Sequence, residues 1–233
     1  MKTLLLSFPF AGGAKHSFRF IKENISADIE YMPFEYPGHG VRIKEKPANS
    51  YEEIIDDVLP KVKHLLYKPY AIYGHSMGAT VGYLLCQKIR LLGLPLPLRL
   101  FISGTDAPSV PPKKIRHHLS KSEFIEDIRQ LGGLPDDIIN SPELLDYFEP
   151  ILRADFRITE IYNYEKVPPL NIPMTIMFGE EEDMEEADIL KWQEESVYPI
   201  KIQKFKGNHF FIYENAKEIS DIINNEIIEK MNA

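Results

Sequence analysis

The chain has 233 residues, 44% of them hydrophobic and including 13 Phe and 12 Tyr; this suffices for the core of one α/β domain and excludes a disordered chain. A formal net charge of -8 argues against non-specific nucleic-acid binding, which needs a basic face to displace counterions. The single cysteine, Cys86, excludes an internal disulfide and cannot alone build a zinc site, so it reads as a packing residue in a reducing compartment.

The opening M-K-T-L-L-L-S-F-P-F superficially resembles a secretory leader, yet its apolar run is short and leads into glycines without a small-residue cleavage site. It reads as a buried first strand, Thr3 to Phe8. Comparable apolar runs follow at Ile29 to Phe34, Tyr70 to Tyr73, Leu98 to Ser103, Ile172 to Phe178 and Ile200 to Phe205. Near-continuous hydrophobicity is what parallel strands covered on both faces require. No run approaches the roughly 18 apolar residues of a membrane span, so a soluble, cytoplasmic protein without membrane association is expected.

Helical patterns lie between the runs. Ser50 and Glu53 predict a capping box ahead of Ile54, Ile55, Val58, Val62, Leu65 and Leu66, with Pro60 expected to kink or break the helix. A second helix is predicted from Ala79 to Leu92. A third runs from Asn215 to Met231, with Ile219, Ile222, Ile223, Ile227 and Met231 at helical intervals. Alternating strands and helices predict an open α/β sheet. No internal repeat or low-complexity linker interrupts it.

Residues 107–164 depart from this rhythm. No strand is evident there; P-S-V-P-P is followed by amphipathic patterns around Phe124, Ile125, Ile128 and Leu131, then around Leu144, Leu145, Phe148, Ile151 and Leu152. A helical insertion of this kind commonly covers a site as a lid, the alternative being helices that only enlarge the core. Gly132 and Gly133 are its candidate flexible points. Lys113, Lys114, Arg116, His117 and His118 form a basic patch that could meet an acidic partner, or be only a solvated loop.

The stretch Y-G-H-S-M-G-A-T, Tyr73 to Thr80, carries G-x-S-x-G between a predicted strand and a predicted helix. That is the context of a nucleophile elbow, in which Ser76 projects from a strained turn and small neighbours prevent clashes. A serine hydroxyl needs a base oriented by a carboxylate. In this arrangement the chain order is Ser, then acid, then His, which leaves His209 in K-G-N-H-F-F-I as the base. The acid is sought in E-E-E-D-M-E-E after the strand ending at Gly179: Asp183 is favoured by position and residue type, Glu182 stays open, and Asp106 after the fourth strand is a rival. Two amides must hold the tetrahedral oxyanion. Met77 follows the nucleophile, and Phe10 or Ala11 in F-P-F-A-G-G can supply the second donor.

The ordered blocks F-P-F-A-G-G, P-G-H-G with Arg42 beyond it, G-H-S-M-G, L-R-A-D-F-R-I-T-E-I-Y, P-P-L-N-I-P and G-N-H-F-F-I resemble the type II, or editing, thioesterases of non-ribosomal peptide and polyketide synthases. They span nearly the whole chain. The resemblance implies a single domain of the α/β-hydrolase superfamily: a mostly parallel sheet flanked by helices, with residues 107–164 as the lid. It also implies hydrolysis of aberrant acyl or aminoacyl thioesters from the phosphopantetheine arm of an acyl or peptidyl carrier protein. No cofactor, metal or nucleic acid is implied, and a monomer is suggested. Ser76, His209 and Asp183 would be the nucleophile, base and acid. The chain departs at one point: Glu182 occupies the place, three residues after the glycine, where the family commonly has aspartate. Asp155 in L-R-A-D-F matches a family block and reads as structural. The rival readings are a general serine esterase or acyltransferase on the same fold, and a non-catalytic binding module.

Overall fold

Six apolar runs become the six strands of one sheet in the computed structural model, which describes residues 2–133 and 136–231. Met1, residues 134 and 135 of the expected insertion, and the Met231 side chain lie outside what is described. The strands are β1 (Thr3–Phe8), β2 (Ile29–Pro33), β3 (Tyr70–His75), β4 (Leu100–Ser103), β5 (Met174–Gly179) and β6 (Lys201–Phe205). They lie in the order β2-β1-β3-β4-β5-β6, and every neighbouring pair is parallel.

Period-two alternation divides the strand residues between two cores. Leu4, Leu6 and Phe8 face one side with Ile72, Leu100 and Ile102, where α2 (Tyr51–Val62) and α3 (Met77–Leu91) contribute Ile54, Val58, Val62, Val81, Leu85 and Ile89. Cys86 is buried in this core, and burial raises its thiol pKa far above the usual range. Leu5, Ala71, Tyr73 and Phe101 face the other side, against Phe18 and Ile21 at α1 (Arg19–Asn24) and Ile219, Ile223 and Ile227 of α9 (Ala216–Met231). Two short helices, α7 (Glu186–Leu190) and α8 (Phe211–Glu214), flank β6 in sequence.

Two local expectations are corrected. Ser50 does cap α2 by accepting from the Glu53 amide, but Glu53 reaches back to the Asn49 amide, at 2.8 Å, instead of closing the box on Ser50. Pro60 does not break the helix, because it sits in the last turn and the helix continues to Val62.

Between β4 and β5 lie α4 (Lys121–Leu131), α5 (Asp136–Ile139) and α6 (Pro142–Ile161). A full capping box between Ser120 and Glu123 starts α4, and the Ser141 cap with Pro142 in the first turn starts α6. Phe124, Ile128 and Leu152 form a separate small core that joins α4 to α6. Gly132 is the left-handed C-cap of α4, with φ 84°, and Gly133 lies so close to Phe210 that a β-carbon would sit 2.3 Å from its ring. The two glycines therefore seat the insertion against the loop carrying His209.

Strand order fixes where a site can form. Neighbours β1 and β3 are followed by helices on opposite faces, α1 and α3, so the loops leaving their C-terminal ends diverge. Such a switch point opens a crevice at the sheet edge. F-P-F-A-G-G and the Ser76 turn are those two loops.

Candidate active site

Ser76 is the one non-glycine residue with positive φ among the described residues, at φ 53° and ψ -122°. Its amide donates to Ser103 O at 2.7 Å, which ties the turn to β4. Both flanking glycines are sterically required: a β-carbon on Gly74 would lie 2.2 Å from Gly78 O, and one on Gly78 would lie 1.9 Å from Phe8 O. Gly78→Ala is accordingly expected to destabilise the fold by about 3 kcal/mol, the upper end for overpacking, as read from urea midpoints. Helix α3 begins at Met77 with no acidic residue in its first turn, so its positive end is left to face the site.

His209 is brought to the same place by the loop after β6. Gly207, with φ 110°, turns that loop, and the amides of Glu180 and Glu181 bond across to Phe205 O and Gly207 O. The chain then reverses, the Glu182 amide bonding to Gly179 O. The reversal folds the Glu182 side chain inward. Its Oε2 accepts from the Gly179 amide at 2.7 Å, and its Oε1 lies 2.6 Å from His209 Nδ1. The Glu182 side chain is 3% exposed and that of His209 20%. The expectation that Asp183 pairs with His209 is corrected: one residue past the reversal, the Asp183 side chain points outward, 94% exposed, beside Lys113. Since the carboxylate of Glu182 accepts, Nδ1 carries the imidazole proton and Nε2 is left as the basic nitrogen.

His75 packs behind His209 with ring centroids 5.0 Å apart, its Nδ1 bonded to Ser103 Oγ at 2.8 Å. Burial foremost, then the neighbouring His209, push its pKa well below the usual histidine range, so it adds no charge beside His209.

Ser76 and His209 line one cavity of about 440 Å³ with Phe10, Ala11, Met77 and Glu182. In the loop after β1 the Gly13 amide is spent on Phe10 O at 2.8 Å and the Gly12 amide on Asp155 Oδ2 at 2.7 Å. The amides of Phe10, Ala11 and Met77 have no acceptor among the described residues. Ile128, Leu131, Leu152 and Phe156 of the insertion supply an apolar wall.

Asp106 also lines the cavity, but His209 Nδ1 bonds to Glu182 instead. Burial pushes the Asp106 carboxyl up to about 6, with Lys113 opposing. A carboxylate whose folded pKa is raised holds more protons in the folded chain between about 4 and 6, so it costs stability as pH climbs through that window. Asp106→Asn is expected to raise stability at pH 8 by about 1 kcal/mol after allowance for solvent screening, roughly 2–4 °C in Tm, and to have no effect below pH 4.

The basic patch is largely spent inside the molecule. Lys114 and Arg116 both bind Asp127, His117 Nδ1 binds Glu160, and Lys113 reaches Asp183. Sequence reasoning took Asp155 as structural and did not single out His39; the two meet in a buried contact at 2.8 Å. Their signal was the presence of both in blocks shared with a family.

Residues 3–227 match the family model described as a thioesterase domain. The gramicidin S biosynthesis protein GrsT of Aneurinibacillus migulanus is 31% identical over 95% of this chain and 88% of its own. Among solved structures, the thioesterase RedJ from the prodiginine pathway of Streptomyces coelicolor superposes with a TM-score of 0.91 at 30% identity, covering 96% of this chain and 90% of that one. YbtT, a type II thioesterase from the yersiniabactin NRPS/PKS pathway, gives a TM-score of 0.89 at 26% identity over 98% and 94%. Among the described residues no helix is long and apolar enough to cross a membrane.

Proposed function

Because the chain belongs to the thioesterase domain family, we propose that it hydrolyses acyl and aminoacyl thioesters from the phosphopantetheine arm of carrier proteins in non-ribosomal peptide or polyketide assembly, with Ser76 as nucleophile, His209 as base and Glu182 as the orienting acid. The observation that carries this reading is the pairing of a strained Ser76 elbow with a His209–Glu182 contact on one cavity. The carrier-protein partner is supported by the biosynthetic pathways named for the relatives. A reducing, cytoplasmic setting accords with a lone buried cysteine.

In the proposed reaction Ser76 Oγ attacks the thioester carbonyl while His209 Nε2 takes its proton. The oxyanion is held by the Met77 amide and by that of Ala11 or Phe10. The carbon–sulfur bond breaks and the pantetheine thiolate takes the proton from His209. Water then attacks the acyl-serine, giving its proton to Nε2, which returns one to Ser76 as the free acid leaves. A thiol leaves readily, so modest acid assistance suffices. The insertion between β4 and β5 acts as the lid, its apolar wall excluding water from the acyl group.

The test compares one acyl group presented on a carrier protein, on coenzyme A and as a simple ester. A carrier-bound substrate hydrolysed with the highest kcat/KM is expected. A strong preference for the free ester would place the enzyme among general esterases.

A further inference from the structure

Three segments distant in sequence converge on one carboxylate oxygen. Asp155 Oδ2, on α6 of the insertion, accepts from the Gly12 amide at 2.7 Å and lies 2.8 Å from Nε2 of His39, in the loop after β2. Asp155 is 2% exposed and His39 3%. The other ring nitrogen of His39, Nδ1, lies 3.0 Å from Pro37 O. A carbonyl oxygen can only accept, so Nδ1 donates to Pro37 O; with Asp155 ionised, Nε2 donates as well and His39 is an imidazolium paired with a carboxylate. Burial acts to lower the pKa of His39, but the hydrogen bond and charge of Asp155, the Pro37 carbonyl and the charge of Glu35 together raise it.

A buried ion pair is weak evidence for stability, because desolvation offsets most of its attraction. What this pair fixes is the loop after β1. Gly12, with φ 76°, occupies the third position of the turn that Gly13 closes onto Phe10 O, the conformation that a type II turn demands there. Leu152, one turn before Asp155 on α6, packs so close that a β-carbon on Gly12 would lie 2.4 Å from it. Tyr36 donates to Pro9 O at 2.8 Å from the other side. Neither Asp155 nor His39 lines the cavity, whereas Phe10 and Ala11 do. Among the described residues, the pair's direct hydrogen bond to the loop after β1 is the one from the Gly12 amide, and His39 also packs edge-on against Tyr36.

We propose that Asp155, with His39, is a positioning residue that sets the Phe10 and Ala11 amides for the oxyanion and couples the seating of the insertion helix α6 to the competence of that hole. The inference rests on the reading of Ser76 as an acyl-enzyme nucleophile. A hole misplaced by about 1 Å loses on the order of 10²-fold in rate without losing ground-state binding.

The test measures kcat and KM on an acyl-pantetheine thioester, and the affinity of an alkylboronic acid that forms a tetrahedral adduct on serine, for wild type, Asp155→Asn, His39→Gln and Ser76→Ala. Asp155→Asn is expected to lower kcat roughly 10- to 100-fold with KM within about threefold, and to weaken boronate binding by a matching factor. A kcat and boronate affinity within about twofold of wild type, or a loss confined to KM or to the folded fraction, would overturn the proposal. Should Asp155→Asn not fold, His39→Gln, which removes the charge paired with Asp155 and the contact to Pro37 O, decides on the same criteria. Ser76→Ala separates the two levels: if it hydrolyses like wild type the site reading itself fails, and if it is inactive while Asp155→Asn is not, only the positioning role fails.

Discussion

Ser76→Ala is expected to lower kcat for thioester hydrolysis by about 10⁴-fold or more, with the protein still folded and still binding acylated carrier. Loss of the nucleophile in serine hydrolases costs nearly as much as loss of the whole triad, and residual catalysis comes from the oxyanion donors. The stability change should be small, although Ser76 holds a strained backbone. Alanine at φ 53° keeps that strain, so no large gain is expected either. Single-turnover kinetics on a loaded carrier, with a thermal melt alongside, read both effects.

Glu182→Gln is expected to cost about 10³-fold in kcat, whereas Asp183→Asn changes it less than twofold. Glu182 accepts from two donors at once, the Gly179 amide and His209 Nδ1. Glutamine has one oxygen and one NH₂ group for the same two partners. Facing NH₂ toward Gly179 sets donor against donor; facing it toward His209 forces the proton onto Nε2, the tautomer that cannot act as base. Asp183 contacts neither partner, and its exposed pairing with Lys113 contributes little. The two variants change adjacent residues in the same way, so the comparison isolates geometry from local charge. Equal losses in both, or a loss in Asp183→Asn alone, would show that the acid was misassigned.

The sheet was legible because its signal is local. Buried parallel strands must be apolar throughout, so the run Thr3 to Phe8 is β1 residue for residue. The elbow was legible because only glycine fits at Gly74 and Gly78, and sequence displays glycine directly. Chain order alone singled out His209, which shares a cavity with Ser76. The carboxylate it bonds to could not be singled out, because the choice between Glu182 and Asp183 depends on where the reversal after Gly179 falls, and that is set by bonds to Phe205 and Gly207 on another strand and its loop. Residue type pointed to aspartate, whereas the side chain aimed at His209 is glutamate. The same limit hid the basic patch's partners, since Asp127 and Glu160 lie on helices whose docking no periodicity reveals. Asp155 and His39 stand 116 residues apart, and only the closed fold makes them one feature.

The most direct measurement is reaction with a serine-directed fluorophosphonate followed by peptide mapping. A single adduct on Ser76 is expected, lost in His209→Ala, slowed in Glu182→Gln and unchanged in Asp183→Asn. An unlabelled Ser76, or labelling that persists at full rate without His209, would contradict the assignment of these residues as one catalytic unit.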